Sequence, residues 1–333
     1  MNKKLILISR PSGELSPENF KFVDDKIPEP KAREVFLRAK YFSVDPYMRN
    51  RMNDINSYIE PFKLNKAMSG DAIAEVVESK SLDLNKGDLV TGHLAWQEYS
   101  VKQANKLRKI KTDRKIPVTA HLGILGLTGL TAYFGMLDIG EPKPGETAVI
   151  SGAAGAVGSI AGQIAKIKGC NVVGIAGYEV KTNYIKNELD FDEAINYKEH
   201  SNIRKPLRKA CPEGVDIYFD NVGGEISDSV MYMLNKYARI ILCGQISLYN
   251  QNRIIMGPRL NAQLIIQRVK MQGFIVNDYT NQFEVAQKQL TEWIKQGKIK
   301  YSENMVDGFE NIVDALQGLF RGENIGKQIV KVK

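Results

Sequence analysis

The stretch TAVISGAAGAVGSIAGQIAK, residues 147–166, constrains the fold more than any other part of this chain. Five residues of buried-strand character, Thr147–Ser151, run into Gly152, Gly155 and Gly158. An apolar helical pattern follows over residues 157–168. A short apolar run, a glycine turn and a helix, in that order, make the first half of a βαβ unit. The spacing is that of Gly-x-Gly-x-x-Gly with Ala153 in place of the first glycine. Gly155 lets backbone amides come close to an anionic group, and Gly158 lets the helix pack tightly on the strand. The positive end of the helix faces the same point. The pattern predicts a dinucleotide held by its pyrophosphate. The alternative is a glycine turn that only packs a helix onto a sheet.

The rest of the chain fits around this unit. Asn171–Ala176, Glu193–Asn196 and residues 215–221, 238–244 and 270–276 read as further strands, with helical segments such as 180–189 between them. Alternating strands and helices predict a doubly wound parallel sheet, an α/β Rossmann fold, which residues 282–296 close as a last helix. The first 118 residues differ. Short β-like runs at 3–9, 35–39, 72–77, 88–91 and 98–101 are split by Pro28, Pro30, Pro46, Pro61 and Gly87. Such a run of short strands predicts a partly open barrel or sandwich. The closing KQIVKV has strand character and no place in the parallel sheet, so it is expected to return to the first domain. The expected division is 1–122 with 300–333, and 123–299.

Composition removes other classes. The 333 residues carry a net charge of +8, are 43% hydrophobic and 25% charged, and hold no apolar run long enough to cross a bilayer. The N-terminal apolar stretch is too short for a signal peptide. Cys170, Cys211 and Cys243 are an odd number with no close pair, which fits a reducing cytoplasm. The densest basic stretch, KLRKIKTDR at 106–114, has no aromatic interleaving and reads as a solvated face. Nucleic-acid binding is not expected.

The second strand of the βαβ unit ends Ile175-Ala176-Gly177. A site for NAD usually has an acidic side chain there for the ribose 2′-hydroxyl. Small residues leave room for a 2′-phosphate instead, and Lys181 supplies a compact positive charge nearby. Glu179 argues the other way. The balance favours NADP(H).

Further along, AAGAVGS, NYK at 196–198, FDNVGGE at 219–225, CGQISLYN at 243–250 and GENIGKQIVKV near the end accompany VDPYMR at 44–49 and GLTAYFG at 129–135. In this order the blocks resemble one branch of the medium-chain dehydrogenase/reductase superfamily: the zinc-independent prostaglandin and leukotriene reductases, curcumin reductase and alkenal double-bond reductases. The resemblance implies a GroES-like barrel plus a Rossmann domain with the cofactor in the cleft, and a homodimer. It implies that Gly155, Ala156, Val157 and Gly158 hold the pyrophosphate, and that Lys181 and Tyr197 hold the 2′-phosphate. Asn221 would reach the ribose, and Cys243, Gly244, Gln245, Ile246, Ser247 and Tyr249 would form the loop under the nicotinamide half. Phe274, Ile275 and Val276 would run along the carboxamide, and Asn324 would close over the cofactor. Taken alone, Cys243 reads as a buried small hydrophobe, and 274–276 as strand core. The chain departs slightly from the branch pattern in carrying Leu127-Thr128 ahead of the GLTAY block, and it has one extra residue between Lys181 and Tyr197.

Zinc dehydrogenases of this superfamily need Cys and His ligands. The corresponding strand here, MSGDAIAEVVE from Met68, has neither, no C-x-x-C occurs, and His93, His121 and His200 stand apart. No metal is expected. Without a Lewis acid, the easiest hydride chemistry is reduction of a polarised double bond. The NADPH hydride would add to the β-carbon of a small enone or enal, and charge would develop on the carbonyl oxygen as an enolate. By the resemblance, Tyr249 and the nicotinamide ribose 2′-hydroxyl stabilise that charge. Tyr47 lines the substrate pocket from the other domain, and Tyr58 is a further candidate in the loop 53–62. The alternatives are an NADPH quinone oxidoreductase of the same superfamily and an NADPH-binding sensor without turnover.

Overall fold

The computed structural model describes residues 1–332. The N-terminal strands are β1 (Asn2–Leu7), β2 (Phe20–Asp25), β3 (Glu34–Ser43), β4 (Ser69–Ser79), β5 (Leu89–Ala95), β6 (Tyr99–Gln103) and β7 (Arg108–Lys109). A four-residue helix, α1 (Tyr47–Asn50), follows β3. In β3, Val35, Leu37 and Ala39 are buried while Arg38 between them is exposed, the period-two alternation of a sheet with one wet face. β3, β4 and β5 are antiparallel neighbours. The other edge of β3 is shared. Its first half pairs with β6, and Tyr41, Phe42 and Ser43 pair with the C-terminal strand of the chain. The shared edge curls the sheet into a partly open barrel filled by Leu37, Phe42, Met48, Met68 and Trp96.

The chain then enters α2 (Leu127–Phe134) and the alternating region: β8 (Thr147–Ser151), α3 (Gly158–Ile167), β9 (Asn171–Ala176), α4 (Glu179–Asn183), β10 (Glu193–Asn196), α5 (Arg204–Ala210), β11 (Val215–Asp220), α6 (Gly224–Met231), β12 (Leu234–Leu242), α7 (Asn261–Gln267), β13 (Lys270–Gly273) and α8 (Phe283–Lys295). Among the described residues these six strands form a wholly parallel sheet in the order β10-β9-β8-β11-β12-β13. That is the Rossmann order. One face is covered by α2, α3 and α8 through Leu130, Ile160, Ile164 and Leu290. The other is covered by α5 and α6 through Leu207 and Val230. Burial on both faces explains why β8 has no exposed residue. The strand order reverses between β8 and β11, so a crevice opens beyond the ends of those two strands.

After α8 the chain leaves this sheet. β14 (Glu303–Asp307) leads into α9 (Ile312–Arg321) and β15 (Lys327–Lys331), which runs parallel to β14 and antiparallel to β3. The last residue of the expected second segment, Lys333, lies outside the described residues. The tail also touches the glycine turn: the Gly326 N–H donates to the Ala154 carbonyl at 2.8 Å. At the base of β15, Lys327 donates to Asp45 at 2.5 Å and to the Val44 carbonyl at 3.0 Å, tying the tail to the segment that carries Tyr47.

Several segments differ from the sequence expectation, among them the strand expected over 238–244, which begins at Leu234 and ends at Leu242. The strand expected over 270–276 stops at Gly273, because the Phe274 ring turns toward Gly135 and Phe274 packs against the core. The strand expected to end at Asn221 stops at Asp220, where the carboxylate begins a new set of bonds. The helix expected over 180–189 is α4 followed by a wider π turn, Tyr184–Glu188. β2, whose sequence FKFVDD is largely exposed and acidic at its end, is a strand that the pattern does not announce, and it pairs with β1.

Candidate functional site

The glycine turn sits at the mouth of the crevice. Gly152 adopts a positive φ of 61°, which turns the chain sharply off the end of β8. A Cβ on Gly158 would lie 2.3 Å from the Gly152 carbonyl oxygen, so only glycine lets α3 start this close to the strand. The Gly155 N–H is used within the turn, donating to the Gly152 carbonyl at 2.9 Å. The Ala156 N–H faces the Gly326 carbonyl in the short bridge between Gly155 and Gly326, whereas the N–H groups of Val157 and Gly158 donate to no acceptor among the described residues, and α3 has no side-chain cap. Unsatisfied donors at a helix N-terminus form a site for an anion.

Beyond the end of β9 lies a cationic pocket. Tyr178 has a φ of 68°, a conformation side-chain-bearing residues rarely adopt, held by its N–H donating to Asn196 Oδ1 at 3.0 Å and its hydroxyl donating to the Arg321 carbonyl at 3.4 Å. Lys198 Nζ stands 3.8 Å from the centre of the Tyr178 ring. A Cβ on Gly177 would meet Tyr197 at 3.1 Å and Lys198 at 3.2 Å, so both side chains cross over this small residue. Lys181 opens α4 beside them. Burial, and then the charge of Lys198, push the Lys181 ammonium down to about 8. Among the described residues no carboxylate acts on Lys181, which leaves room for a dianionic group.

The third part is a cleft between the barrel and the loop after β12. Asp220 is buried and organises the floor. Its Oδ1 accepts from Ser151 Oγ, the Tyr218 hydroxyl and the N–H groups of Val222 and Gly223, at 2.9 to 3.0 Å. The Asp220 carbonyl accepts from the N–H groups of Cys243 and Gly244. Ser247 Oγ donates to the Val222 carbonyl at 2.6 Å, and the Ile246 N–H donates to the Asn221 carbonyl at 3.3 Å. These bonds fold residues 243–249 into a compact loop. At its end the Tyr249 hydroxyl accepts from the Gln245 N–H at 3.3 Å, and the Asn50 side chain of α1 meets the same hydroxyl from the barrel.

Tyr58, 62% exposed, lies at the open side of the same region. Burial, and then the neighbouring Tyr249 and Cys243, raise its phenol. Burial also raises Tyr249, and it pushes the Cys243 thiol up to about 12. Tyr47 lies deeper in the barrel wall. Burial, then Asp45 and Asp71, lift its phenol well above the ordinary range, while Arg51 acts in the opposite direction. Arg51 itself lies over the Phe62 ring at 3.9 Å. All three phenols therefore remain protonated at neutral pH and act as donors, and the Cys243 thiol carries no charge.

Other residues singled out by sequence are already engaged. Asn221 Nδ2 donates to the Ser151 carbonyl at 2.7 Å, which uses one of its two N–H groups and leaves the other and Oδ1 for a ligand. Asn324 is buried and its Nδ2 donates to the Gly326 carbonyl at 2.8 Å. Phe274 and Val276 pack against the core of the parallel sheet, so this segment offers its backbone rather than those side chains. Sequence reasoning misses Asn50, Arg51, Tyr178 and Lys198. Lys198 alone leaves a local signal, standing next to Tyr197 in the NYK block.

Comparison with known proteins follows the same division. Residues 3–110 match the family described as the N-terminal domain of oxidoreductase, and residues 156–293 the family described as zinc-binding dehydrogenase. A Bacillus subtilis protein named as an NADP-dependent oxidoreductase, YfmJ, is 58% identical over 99% of this chain and 97% of its own length. The NADPH-dependent curcumin reductase of Escherichia coli and the NADP-dependent 2-alkenal reductase of Nicotiana tabacum are each 41% identical over the same shares. The crystal structure of CurA from Vibrio vulnificus in complex with NADPH superposes with a TM-score of 0.95 at 43% identity, covering 99% of each chain. The residues do not fit the zinc that the second family description names. Among the described residues, no group of three or more His, Cys, Asp or Glu side chains lies close enough together to hold a metal ion.

Proposed function

The chain belongs to the medium-chain dehydrogenase/reductase superfamily, in the branch of the curcumin, alkenal and prostaglandin reductases, and from that premise we propose that it reduces the carbon–carbon double bond of α,β-unsaturated ketones and aldehydes with NADPH. The residues fit this cofactor. The free N–H groups of Val157 and Gly158, with Gly155 and Ala156 in the turn beside them, suit its pyrophosphate. Lys181 and Lys198, with Tyr197 beside them, suit the 2′-phosphate that distinguishes it from NADH. Asn221 Oδ1, the loop 243–249, the backbone of 274–276 and Asn324 are assigned to the ribose and nicotinamide half. Bound there, NADPH supplies a hydride for the β-carbon of the substrate.

The chain's own part is to hold the substrate carbonyl and manage its charge. As the β-carbon is reduced, negative charge builds on the carbonyl oxygen. The Tyr249 hydroxyl donates a hydrogen bond to that oxygen and stabilises the developing charge. The phenol then gives its proton to the collapsing enolate and takes one back from solvent through the exposed Tyr58. Tyr47 and Arg51 line the pocket from the barrel.

One observation carries the reading: the half-buried Tyr249 hydroxyl is fixed at the end of its loop, accepting from the Gln245 N–H at 3.3 Å and met by the Asn50 side chain from the barrel. The test is turnover with pent-3-en-2-one. Tyr249→Phe should lower kcat while NADPH affinity stays the same. Unchanged turnover removes Tyr249 from the mechanism.

We also assign residues 1–122 with 300–333 to one domain and 123–299 to the other. A homodimer is supported by the edge strand β13 and the helix before it, where Ile265, Ile266 and Met271 are exposed. Three free thiols support a cytoplasmic location. No described helix is long and apolar enough to cross a membrane.

A further inference from the structure

Arg49 closes the DPYMR sequence and takes no part in cofactor binding or in the proton transfer assigned to Tyr249. It is 2% exposed. Every acceptor it meets is neutral. Nε donates to Asn250 Oδ1 at 3.0 Å and Nη1 to Asn53 Oδ1 at 2.7 Å. Nη2 donates to the carbonyls of Gly13 at 2.9 Å and Pro11 at 3.3 Å. Burial lowers its pKa, yet a guanidinium starts high enough to stay charged. Burying a charge without a counterion is costly, and the four bonds must offset that cost.

Those bonds join three segments that are far apart in sequence. Pro11 and Gly13 follow β1. Asn53 opens the loop that carries Tyr58. Asn250 is 201 residues away, directly after Tyr249, on the loop beyond β12. Two neighbours reinforce the junction. Asn50, next to Arg49 on α1, meets the Tyr249 hydroxyl. Gly13 lies against Asn252, since a Cβ there would be 3.1 Å from the Asn252 amide nitrogen.

We propose that Arg49 is a positioning residue that sets the spacing between Tyr249 and Tyr58. Its planar fork has fixed directions, so one side chain holds the Tyr249 loop and the Tyr58 loop in a single geometry relative to the barrel. The inference rests on the reading of Tyr249 as the donor to the substrate oxygen. Lysine cannot replace arginine here, because one ammonium on a flexible stem does not serve three diverging acceptor sets.

The experiment uses Arg49→Lys, Asn250→Ala and Tyr249→Phe, with the double variants, in the full-length enzyme. It measures kcat and KM for pent-3-en-2-one and the NADPH dissociation constant by fluorescence. Arg49→Lys and Asn250→Ala should each lower kcat about tenfold, the effect of one charge-assisted hydrogen bond. NADPH affinity should change less than twofold. The Arg49→Lys, Asn250→Ala double variant should be no slower than the slower single one. Additive losses, or unchanged kcat in both single variants, overturn the proposal. In the Tyr249→Phe background, Arg49→Lys should cost less than twofold. A full tenfold loss there shows that Arg49 does not act through Tyr249 and also overturns it. Unchanged turnover in Tyr249→Phe alone sinks the donor reading instead, and the Arg49–Asn250 cycle still decides whether the bridge sets turnover. If Arg49→Lys does not fold, the Asn250→Ala, Tyr249→Phe cycle decides the matter by the same criterion.

Discussion

Replacing Lys181 with alanine should separate the two nicotinamide cofactors. Lys181 is half-buried, and the one charge that acts on it is the like charge of Lys198. In the free protein its ammonium is therefore strained, and a 2′-phosphate would relieve that strain. A hydrogen bond to a charged group contributes roughly 1.5–3 kcal/mol, which is roughly 10- to 150-fold in affinity. Lys198 remains in the variant and still meets the phosphate, so the lower part of that range applies: an NADPH dissociation constant raised about 10- to 30-fold. NADH has no phosphate at this point and should bind as before. The pH dependence follows with a definite sign. With its ammonium near 8, Lys181 loses its proton in the free protein as pH rises through about 8. NADPH binding above that pH must take the proton back up. From about pH 7 to about 8, where a phosphate is dianionic, affinity for NADPH should thus be flat, and above about 8 it should fall, while NADH affinity stays flat. In Lys181→Ala the fall should disappear. Isothermal titration at several pH values, in buffers of different ionisation enthalpy, measures both the affinity and the proton uptake. Equal weakening of NADPH and NADH, or NADPH affinity that ignores pH from about 7 to about 9, would refute the phosphate role.

Other perturbations test other parts of the account. Gly158→Ala brings a Cβ to 2.3 Å from a backbone oxygen, so it should destabilise the fold by about 1–3 kcal/mol in thermal melts and weaken NADPH binding. Asp45→Asn removes the partner of a lysine whose side chain is 4% exposed, and urea denaturation should register a loss of about 3–5 kcal/mol. A loss under about 1 kcal/mol would mean that the pair contributes little to joining the tail to the barrel. Met271→Lys places a charge on the apolar edge around β13 and should shift the protein toward monomer in sedimentation. An unchanged sedimentation coefficient would remove that edge from the dimer interface.

The parts legible in the sequence are the local ones. β8 and β9 carry their whole signal in a short apolar run bounded by glycine or by a turn, and the structure has both at the expected residues. The glycine turn is legible for the same reason, since strand, turn and helix are consecutive. The run GFIV at 273–276 shows the limit of such reading. An apolar run does not say whether its side chains pair along a strand or dive into a gap, and Phe274 fills the space beside Gly135. The site divides in the same way. Lys181 is legible because the spacing after the turn is fixed by the βαβ unit. Tyr178 is not, because its strained backbone is set by Asn196 and Arg321. Asn50 and Arg49 escape as parts of the site because they meet residues some 200 positions away across the cleft. Tyr58 stands behind Tyr47 as a sequence candidate, yet its hydroxyl is the one that approaches Tyr249. That order depends on how a loop folds, which its sequence does not specify.

The central claim is that hydride reaches the β-carbon of an activated double bond while the carbonyl oxygen is held by Tyr249. The most direct test supplies NADPH deuterated at the transferring carbon, with pent-3-en-2-one as acceptor, and reads the product by NMR. The expected product is the saturated ketone with one deuterium on the β-carbon, formed more slowly by Tyr249→Phe. An allylic alcohol with deuterium on the carbinol carbon, or no transfer to the enone at all, would contradict it.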